Sequence, residues 1–492
     1  MSDQESDRSI VVGDGRADHK SELSRNGGAD MAKGSTRRQS DQSTRAEGKR
    51  VPQQSVSSSL IALREKASRE PDYRFRGLYT MINLPILRES FGMLRRDAAC
   101  GVDEVSVADF ESNLEGNLAD LLERLKSKRY RAKLVRRKYI PKGGGKRRPL
   151  GIPAVEDKIV QMAARRILES IYEADFLNTS RGYRSGKGAR QASQMLREEL
   201  ATKKVNWVVE ADIKGFFNNL DHQKLLGMLR RRIDDEAFVR LIGKWLSVGV
   251  LEEDGQIVHP ATGTPQGGIV SPVLANVYLH HVLDLRVEND VKRKACPDVV
   301  YMRYADDFVC GFHQEADAKR FLEWLGQQLG AYGLELAGEK SGIVKFTPFD
   351  VTGSGMFAFL GFDFYWARTR SGKRTVKRRT NAKKMNASLR GIKEWIRNNR
   401  SCPLKTLGES LRRKLLGHYN YYGVIGNSES LTNYRFLCQR LIFKWLNRRS
   451  QRLSYNWQGF NAMWQNWAMP FPRVVEGPYR PQTRLALSYA YA

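Results

Sequence analysis

At 492 residues the chain is long enough for two or three domains and a substantial core. Its 83 Lys and Arg against 54 Asp and Glu give a formal charge of +29, which argues against a protein without a polyanionic partner. Nucleic acid fits that charge better than a membrane, because the basic residues run through folded-looking sequence and no uncharged apolar stretch approaches roughly 18 residues. The cysteines (Cys100, Cys296, Cys310, Cys402, Cys438) show no Cys-x-x-Cys spacing and read as reduced thiols. With a polar, acidic start lacking a signal peptide's apolar core, a cytoplasmic, nucleic-acid-associated protein is expected.

Residues 1–57 contain no aromatic residue and are rich in Ser, Gly, Asp, Arg and Gln, so a disordered polar tail is expected. Apolar periodicity from Leu60 and Leu63 to Tyr79, Met81 and Ile82 predicts a helical extension over 58–100. Next, Arg136 to Leu150 reads as two strands around Gly143-Gly144-Gly145, a cation-studded hairpin able to meet a triphosphate, though such turns are usually only turns. Asp157 to Ile171 is apolar at helical spacing and reads as core. Arg181-Gly182-Tyr183-Arg184-Ser185-Gly186-Lys187-Gly188 reads as a loop and helix start, or as a place where an aromatic and cations lie against a nucleic acid.

The β-rich run Trp207 to Ile213 ends in Asp212, and Phe216 and Phe217 after it read as core. Thr262 to Pro272 is a glycine-rich loop entering a helix. It is either structural or a close approach to a nucleotide, with Gln266 offering hydrogen bonds. Tyr304-Ala305-Asp306-Asp307 then sits between the apolar arms Val299 to Arg303 and Phe308 to Phe312, a hairpin with two acids at its tip. It is a polar turn or a metal site: adjacent acids repel unless a divalent cation lies against them. If the Asp212 strand lies beside this hairpin, Asp212, Asp306 and Asp307 form a carboxylate cluster suited to two Mg2+ ions and an in-line displacement at a phosphate. Ala316 to Leu329 reads as an amphipathic helix. Ala367 to Arg400 carries many cations (Arg374, Lys377, Arg378, Arg379, Lys383, Lys384) and only Glu394 as an acid, a phosphate-tracking surface. Helices are expected over 404–426, 431–449 and 460–467.

The order Asp212 in a strand, Thr264-Pro265-Gln266-Gly267-Gly268, then Tyr304-Ala305-Asp306-Asp307 resembles reverse transcriptases, in particular those encoded by bacterial group II introns, over about residues 58 to 470. Gly101-Val102-Asp103-Glu104 resembles a family turn but has Glu104 where Gly is usual, which puts the local turn in doubt because Gly tolerates positive φ. Ala337-Gly338 likewise replaces the usual Asn-Pro before Lys340, and Phe359 to Phe364 matches a turn positioning the primer terminus. Gly417 to Gly423 resembles the family's thumb or maturase domain.

The resemblance implies an α+β right-hand polymerase. Its fingers and palm cover 101–365, a basic linker 366–380, an α-helical thumb/maturase domain 381–470 and a tail 471–492. The implied chemistry is RNA-directed DNA synthesis with two Mg2+ ions on Asp212, Asp306, Asp307 and the Ile213 carbonyl. Lys142, Arg148, Phe217, Gln266 and Lys340 would bind the nucleotide, Phe217 by excluding a ribose 2'-hydroxyl. Arg184, Lys187 and the cations of 374–384 would contact nucleic acid. The implied partners are structured intron RNA, an RNA template with a DNA primer, and dNTPs. No His follows His418 and no Cys follows Cys438, so a C-terminal endonuclease domain is not expected. A splicing cofactor with lapsed polymerase activity and a domesticated host reverse transcriptase remain alternatives.

Overall fold

The computed structural model describes residues 56–142, 146–264, 266–293, 298–349, 355–369, 371–449 and 454–477, with the backbone alone at 142 and 146. Residues 1–55 of the expected polar tail, the three glycines of 143–145, Pro265, Cys296 and most of the expected C-terminal tail lie outside them, whereas Val56 and Ser57, expected as tail, open the first helix.

The chain opens with α1 (Val56–Arg69) and α2 (Leu84–Gly92), the latter capped by the Asn83 side chain on Ile86 N–H. Then come α3 (Val107–Ser112), whose Ser106 and Asp109 make a reciprocal capping box, and α4 (Leu114–Lys126). Glu104 adopts φ 54°, so the turn that usually holds glycine keeps its left-handed conformation with a glutamate. The close approach is made one turn earlier, where a Cβ on Gly101 would stand 2.5 Å from Ala154 Cα.

Strands β1 (Val135–Lys142) and β2 (Lys146–Ile152) form the basic hairpin, followed by the buried helix α5 (Val155–Tyr172). Asp157 of α5 accepts from the Tyr130 hydroxyl (2.5 Å) and Lys133 N–H (3.0 Å), and burial pushes its carboxyl up to about 7. After β3 (Ser180–Arg181) and α6 (Ala189–Thr202) comes β4 (Trp207–Ala211), then α7 (His222–Arg230) and α8 (Glu236–Ser247). Short strands β5 (Val250–Leu251) and β6 (Ile257–Val258) complete a four-stranded sheet in the order β2-β1-β5-β6. Helix α9 (Ser271–Leu279) runs into π-helical turns at His280–Asp284 and Val287–Lys292.

Strands β7 (Val300–Tyr304) and β8 (Asp307–Phe312) are the acid-tipped hairpin, followed by α10 (Glu315–Gly330) and β9 (Gly342–Lys345). The resulting five-stranded sheet has the order β3-β7-β8-β4-β9, so β8 and β4 are antiparallel neighbours. Side-chain alternation divides the sheet between two cores. Val209, Ala211, Tyr301, Phe308 and Cys310 join Phe321, Leu325 and Leu329 of α10, whereas Val208, Val300, Met302 and Val309 face α6 and the C-terminal third of the chain.

That third begins with a three-stranded sheet of β10 (Met356–Phe359), β11 (Phe362–Arg368) and β12 (Arg374–Thr380). The expected linker over 366–380 is therefore corrected: it is the end of β11 and the whole of β12, paired from Phe362↔Thr380 to Arg368↔Arg374. Helices α11 (Ala382–Asn399), α12 (Leu404–Tyr422), α13 (Ser428–Leu446) and α14 (Trp457–Asn466) follow, with His418 of α12 stacked on Tyr434 of α13 at 3.5 Å. The segment 471–477, expected as tail, returns to this body: Glu476 is buried and accepts from Arg378 at 2.6 Å. Among the described residues no helix is long and apolar enough to cross a membrane.

Candidate active site and nucleic-acid interface

The two-residue turn Ala305-Asp306 joins β7 to β8 and is closed by the pair Tyr304↔Asp307. Ala305 sits at φ 57°, a conformation that costs an L-residue about 1 kcal/mol, so its surroundings must impose it. Ala305 N–H donates to the Arg181 carbonyl at 2.8 Å, and a Cβ on Gly182 would come within 2.6 Å of Ala305 N. From inside, the fully buried Arg303 donates to the Ala305 carbonyl (2.8 Å), Asn276 (3.1 Å), Ser180 and both oxygens of Asp284 (2.7 and 2.6 Å). Burial alone would raise Asp284, but the Arg303 guanidinium outweighs it and holds the carboxyl below its ordinary range. Sequence reading saw Arg303 only as part of an apolar arm; a lone arginine inside a buried β run was the signal available.

Ala211 pairs with Phe308, so Asp212 comes next to Asp307 across the end of the β4–β8 ladder. Alternation puts both on the face that carries Val208, Glu210 and Val309. Asp212 is half-buried; its N–H donates to Ser341 Oγ (3.3 Å), and Lys340 Nζ lies 3.2 Å from its Oδ2. Ile213 is buried and bridges Leu336. That bridge is made by Lys214 N–H on Glu335 and Ala337 N–H on Asp212, and so leaves the Ile213 carbonyl out of it. Among the described residues no three His, Cys, Asp or Glu side chains stand close enough to hold a metal ion as they are. The chemistry of the edge nonetheless fits a hard cation: the donors are all oxygens, and Asp212 already draws an ammonium. Glu210, passed over in the sequence, accepts Ala358 N–H at 2.8 Å and ties β10 to the strand that carries Asp212.

Phe217 lies in a 3-10 turn (Phe216–Asn218), its ring edge-on to Tyr183 at 6.2 Å. Thr264 N–H donates to the Phe217 carbonyl (2.8 Å), and a Cβ on Gly263 would stand 2.7 Å from the Asn218 oxygen. From the other side, Arg148 Nε donates to Gln266 Oε1 (3.1 Å) and Gly151 N–H to the Gln266 carbonyl (2.6 Å). Thus Phe217 is tied to Thr264, and Arg148 and Gly151 to Gln266, on either side of residue 265. Lys142 pairs with Lys146 at the end of the hairpin, and its side chain lies outside what is described. Two acids clasp this basic hairpin: Arg137 to Glu252 (3.0 Å), and Lys138 and Arg147 to Glu253 (3.6 and 3.5 Å).

Two of the expected nucleic-acid contacts are corrected. Arg184 is buried and spends its donors on Glu173 and on the carbonyls of Leu177 and Ser180. Arg378 is fully buried between Ser193 (2.8 Å) and Glu476. In β12 the inward positions are Val376, Arg378 and Thr380, so Arg378 points to the core while Arg374 and Arg379 are exposed and Lys377 is half-buried. Arg374 lies over Phe349 (4.6 Å) and Arg379 over Tyr365 (5.3 Å). Lys383 is exposed and Lys384 half-buried on the first turn of α11, which Asn381 caps. Lys187 is half-buried, and burial followed by Arg181 and Arg184 lowers its ammonium pKa.

Comparison with known proteins finds the model of the reverse transcriptase (RNA-dependent DNA polymerase) over residues 140–364 and that of the group II intron maturase-specific domain over 385–464. Protein YkfC of Escherichia coli is 33% identical over 307 residues, 56% of this chain and 78% of that protein. The chain belongs to the group II intron reverse transcriptase/maturase family. The group II intron-encoded protein LtrA of Lactococcus lactis is 29% identical over 458 residues, 74% of this chain and 73% of that protein. An uncharacterized 91 kDa protein in a cob intron of Schizosaccharomyces pombe is 39% identical over 180 residues, 36% of this chain and 22% of that protein. The protein is thus an RNA-directed DNA polymerase joined to a maturase domain with a role in splicing. Membership implies binding of intron RNA and nucleic-acid substrates, and divalent metal ions as in reverse transcriptases generally.

Proposed function

We propose that this family member is a right-hand polymerase extending a DNA primer on an RNA template from dNTPs, with β1–β2 in the fingers, the five-stranded sheet as palm and α11–α14 as thumb. Asp212 and Asp306 would hold two Mg2+ ions, with Asp307 supporting them and the Ile213 carbonyl as a further oxygen. When bound, such a pair activates the primer 3'-hydroxyl and stabilises the leaving pyrophosphate. The Arg303–Asp284 pair keeps the Ala305-Asp306 turn in its strained form, so Asp306 need not reorganise during the reaction. Lys340, beside Asp212, neutralises charge on the nucleotide side. Arg148 and Lys142 reach the incoming phosphates, Gln266 the sugar or base, and the Phe217 ring closes the space a 2'-hydroxyl would need. Arg374, Lys377, Arg379, Lys383 and Lys384 track phosphates of bound RNA, structured intron RNA included.

The observation that carries this reading is the register that sets Asp212 across from Asp307 on one face of the sheet. The test is primer extension on an RNA template with Mg2+ and labelled dNTPs. Synthesis by the wild type that disappears in Asp306→Asn supports it, and synthesis that persists in the mutant overturns it.

A further inference from the structure

Between the end of α7, the two π-helical turns and the end of α10, a pocket of about 160 Å3 opens at the surface, with Arg231, Arg286 and Asn289 exposed around it. It is lined by Arg231, His281, Leu285, Arg286, Asn289 and Tyr332. We propose that this cavity is a binding site for a single phosphate group, gripped between Arg231 and Arg286.

The donors come from separate elements. Arg231 follows α7, His281, Arg286 and Asn289 lie on or between the two π-helical turns, and Tyr332 follows α10. Among the described residues the lining holds two guanidiniums, an amide, an imidazole and a phenol, and no carboxylate. Arg286, just before the second π-helical turn, already meets the Tyr332 side chain and Asp290, 3.3 Å from its Nη1, so a phosphate would share its guanidinium with them; Asp284 acts on His281 as well. Planar guanidinium forks match a tetrahedral oxyanion better than they match water. At several times the ~30 Å3 share of a liquid water, the space suits such an ion.

Two further observations point to a ligand. Both ring nitrogens of His281 are buried, and among the described residues neither has a hydrogen-bond partner. One of them must carry a hydrogen, so an acceptor is missing from its surroundings. Burial, then His280 and Arg231, lowers this imidazole to about 4, so it is neutral and adds a donor without adding charge. The second observation is the backbone: π-helical turns are rare and concentrate at functional sites, and here two in succession present His281, Arg286 and Asn289 to one cavity. Nothing in the polymerase mechanism uses them.

Free inorganic phosphate and a backbone phosphate of bound RNA share this chemistry. The full chain, carrying 15N-labelled histidine, is titrated with inorganic phosphate, the His281 ring signals being identified by their loss in His281→Gln. Salt dependence of binding to an RNA hairpin is measured in parallel. The comparison variant is Arg231→Ala/Arg286→Ala; both side chains are exposed, so it keeps the fold. The expected result is a saturable shift of the His281 signals, with phosphate affinity at least about tenfold weaker in the double variant. If RNA is the source, the variant also flattens the slope of log affinity against log salt by about one for each RNA phosphate it no longer neutralises; an unchanged slope assigns the site to free phosphate. No saturable shift in the wild type, or the same shift in the double variant, overturns the proposal.

Discussion

The acid-tipped edge of the five-stranded sheet and the basic surface of β12 and α11 both carry charge, but they hold it differently. At the edge, charged groups are half-buried and set by strand register, and the turn between them is pinned by a buried arginine with five hydrogen bonds. On the basic surface, Arg374, Arg379 and Lys383 stand exposed. The arginine in their midst that is held tightly, Arg378, faces inward and joins the strand to Glu476. Chemistry at a phosphorus needs charges preorganised within a fraction of an ångström, whereas attraction to a polyanion needs only their sum.

The sharpest way to break this contrast is to replace one acid. Asp306→Asn should lower primer extension by about a thousandfold or more, the several kcal/mol that metal ions contribute, while RNA affinity measured by filter binding stays within about twofold. Next in size, Arg303→Met removes one partner of a buried pair and should cost about 3–5 kcal/mol in urea unfolding. Arg378→Met should resemble it, and Arg379→Ala, on the same strand but exposed, should cost less than about 0.5 kcal/mol. A smaller effect is expected at the proposed nucleotide site. Phe217→Val should raise ribonucleotide incorporation relative to deoxynucleotides by about 10- to 100-fold in competition assays, with dNTP extension largely kept.

A pH series separates structural acids from the site. The Asp157 carboxyl is raised to about 7 by burial, so the native state holds a proton that the unfolded chain gives up near 4. The stability it contributes is full below that lower value and is lost as pH rises through about 7. Asp157→Asn keeps an acceptor for Tyr130 and has no proton to lose. The variant should therefore gain on the wild type across pH 4 to 7, by at most about 1.4 kcal/mol per unit in unfolding experiments. Smallest of all, Arg379→Ala or Lys383→Ala should each weaken RNA binding only a few-fold and flatten its salt slope by about one.

Much of the arrangement was legible because strand alternation is local. The apolar arms around Asp306-Asp307 and the β-rich run before Asp212 already imply two strands with acids at one end, and their pairing needed only adjacency. What stayed hidden depends on partners far along the chain. Arg184 and Arg378 look like surface cations until Glu173 and Glu476 are seen to bury them, and a basic run does not reveal which members point inward. Residues 366–380 read as a linker because their charge masks a strand, although Val376, Arg378 and Thr380 alternate correctly. Glu104 shows the opposite error: a residue that strains in isolation is held where Gly101 lies hard against Ala154.

The proposed catalytic centre stands or falls on where metal ions bind. Manganese binding, followed by electron paramagnetic resonance on wild type, Asp212→Asn and Arg379→Ala with primer–template and dNTP present, tests that. The expected result is two tight ions in the wild type and in Arg379→Ala, with at least one missing in Asp212→Asn. Unchanged binding in Asp212→Asn would contradict the assignment of the sheet edge as the catalytic centre.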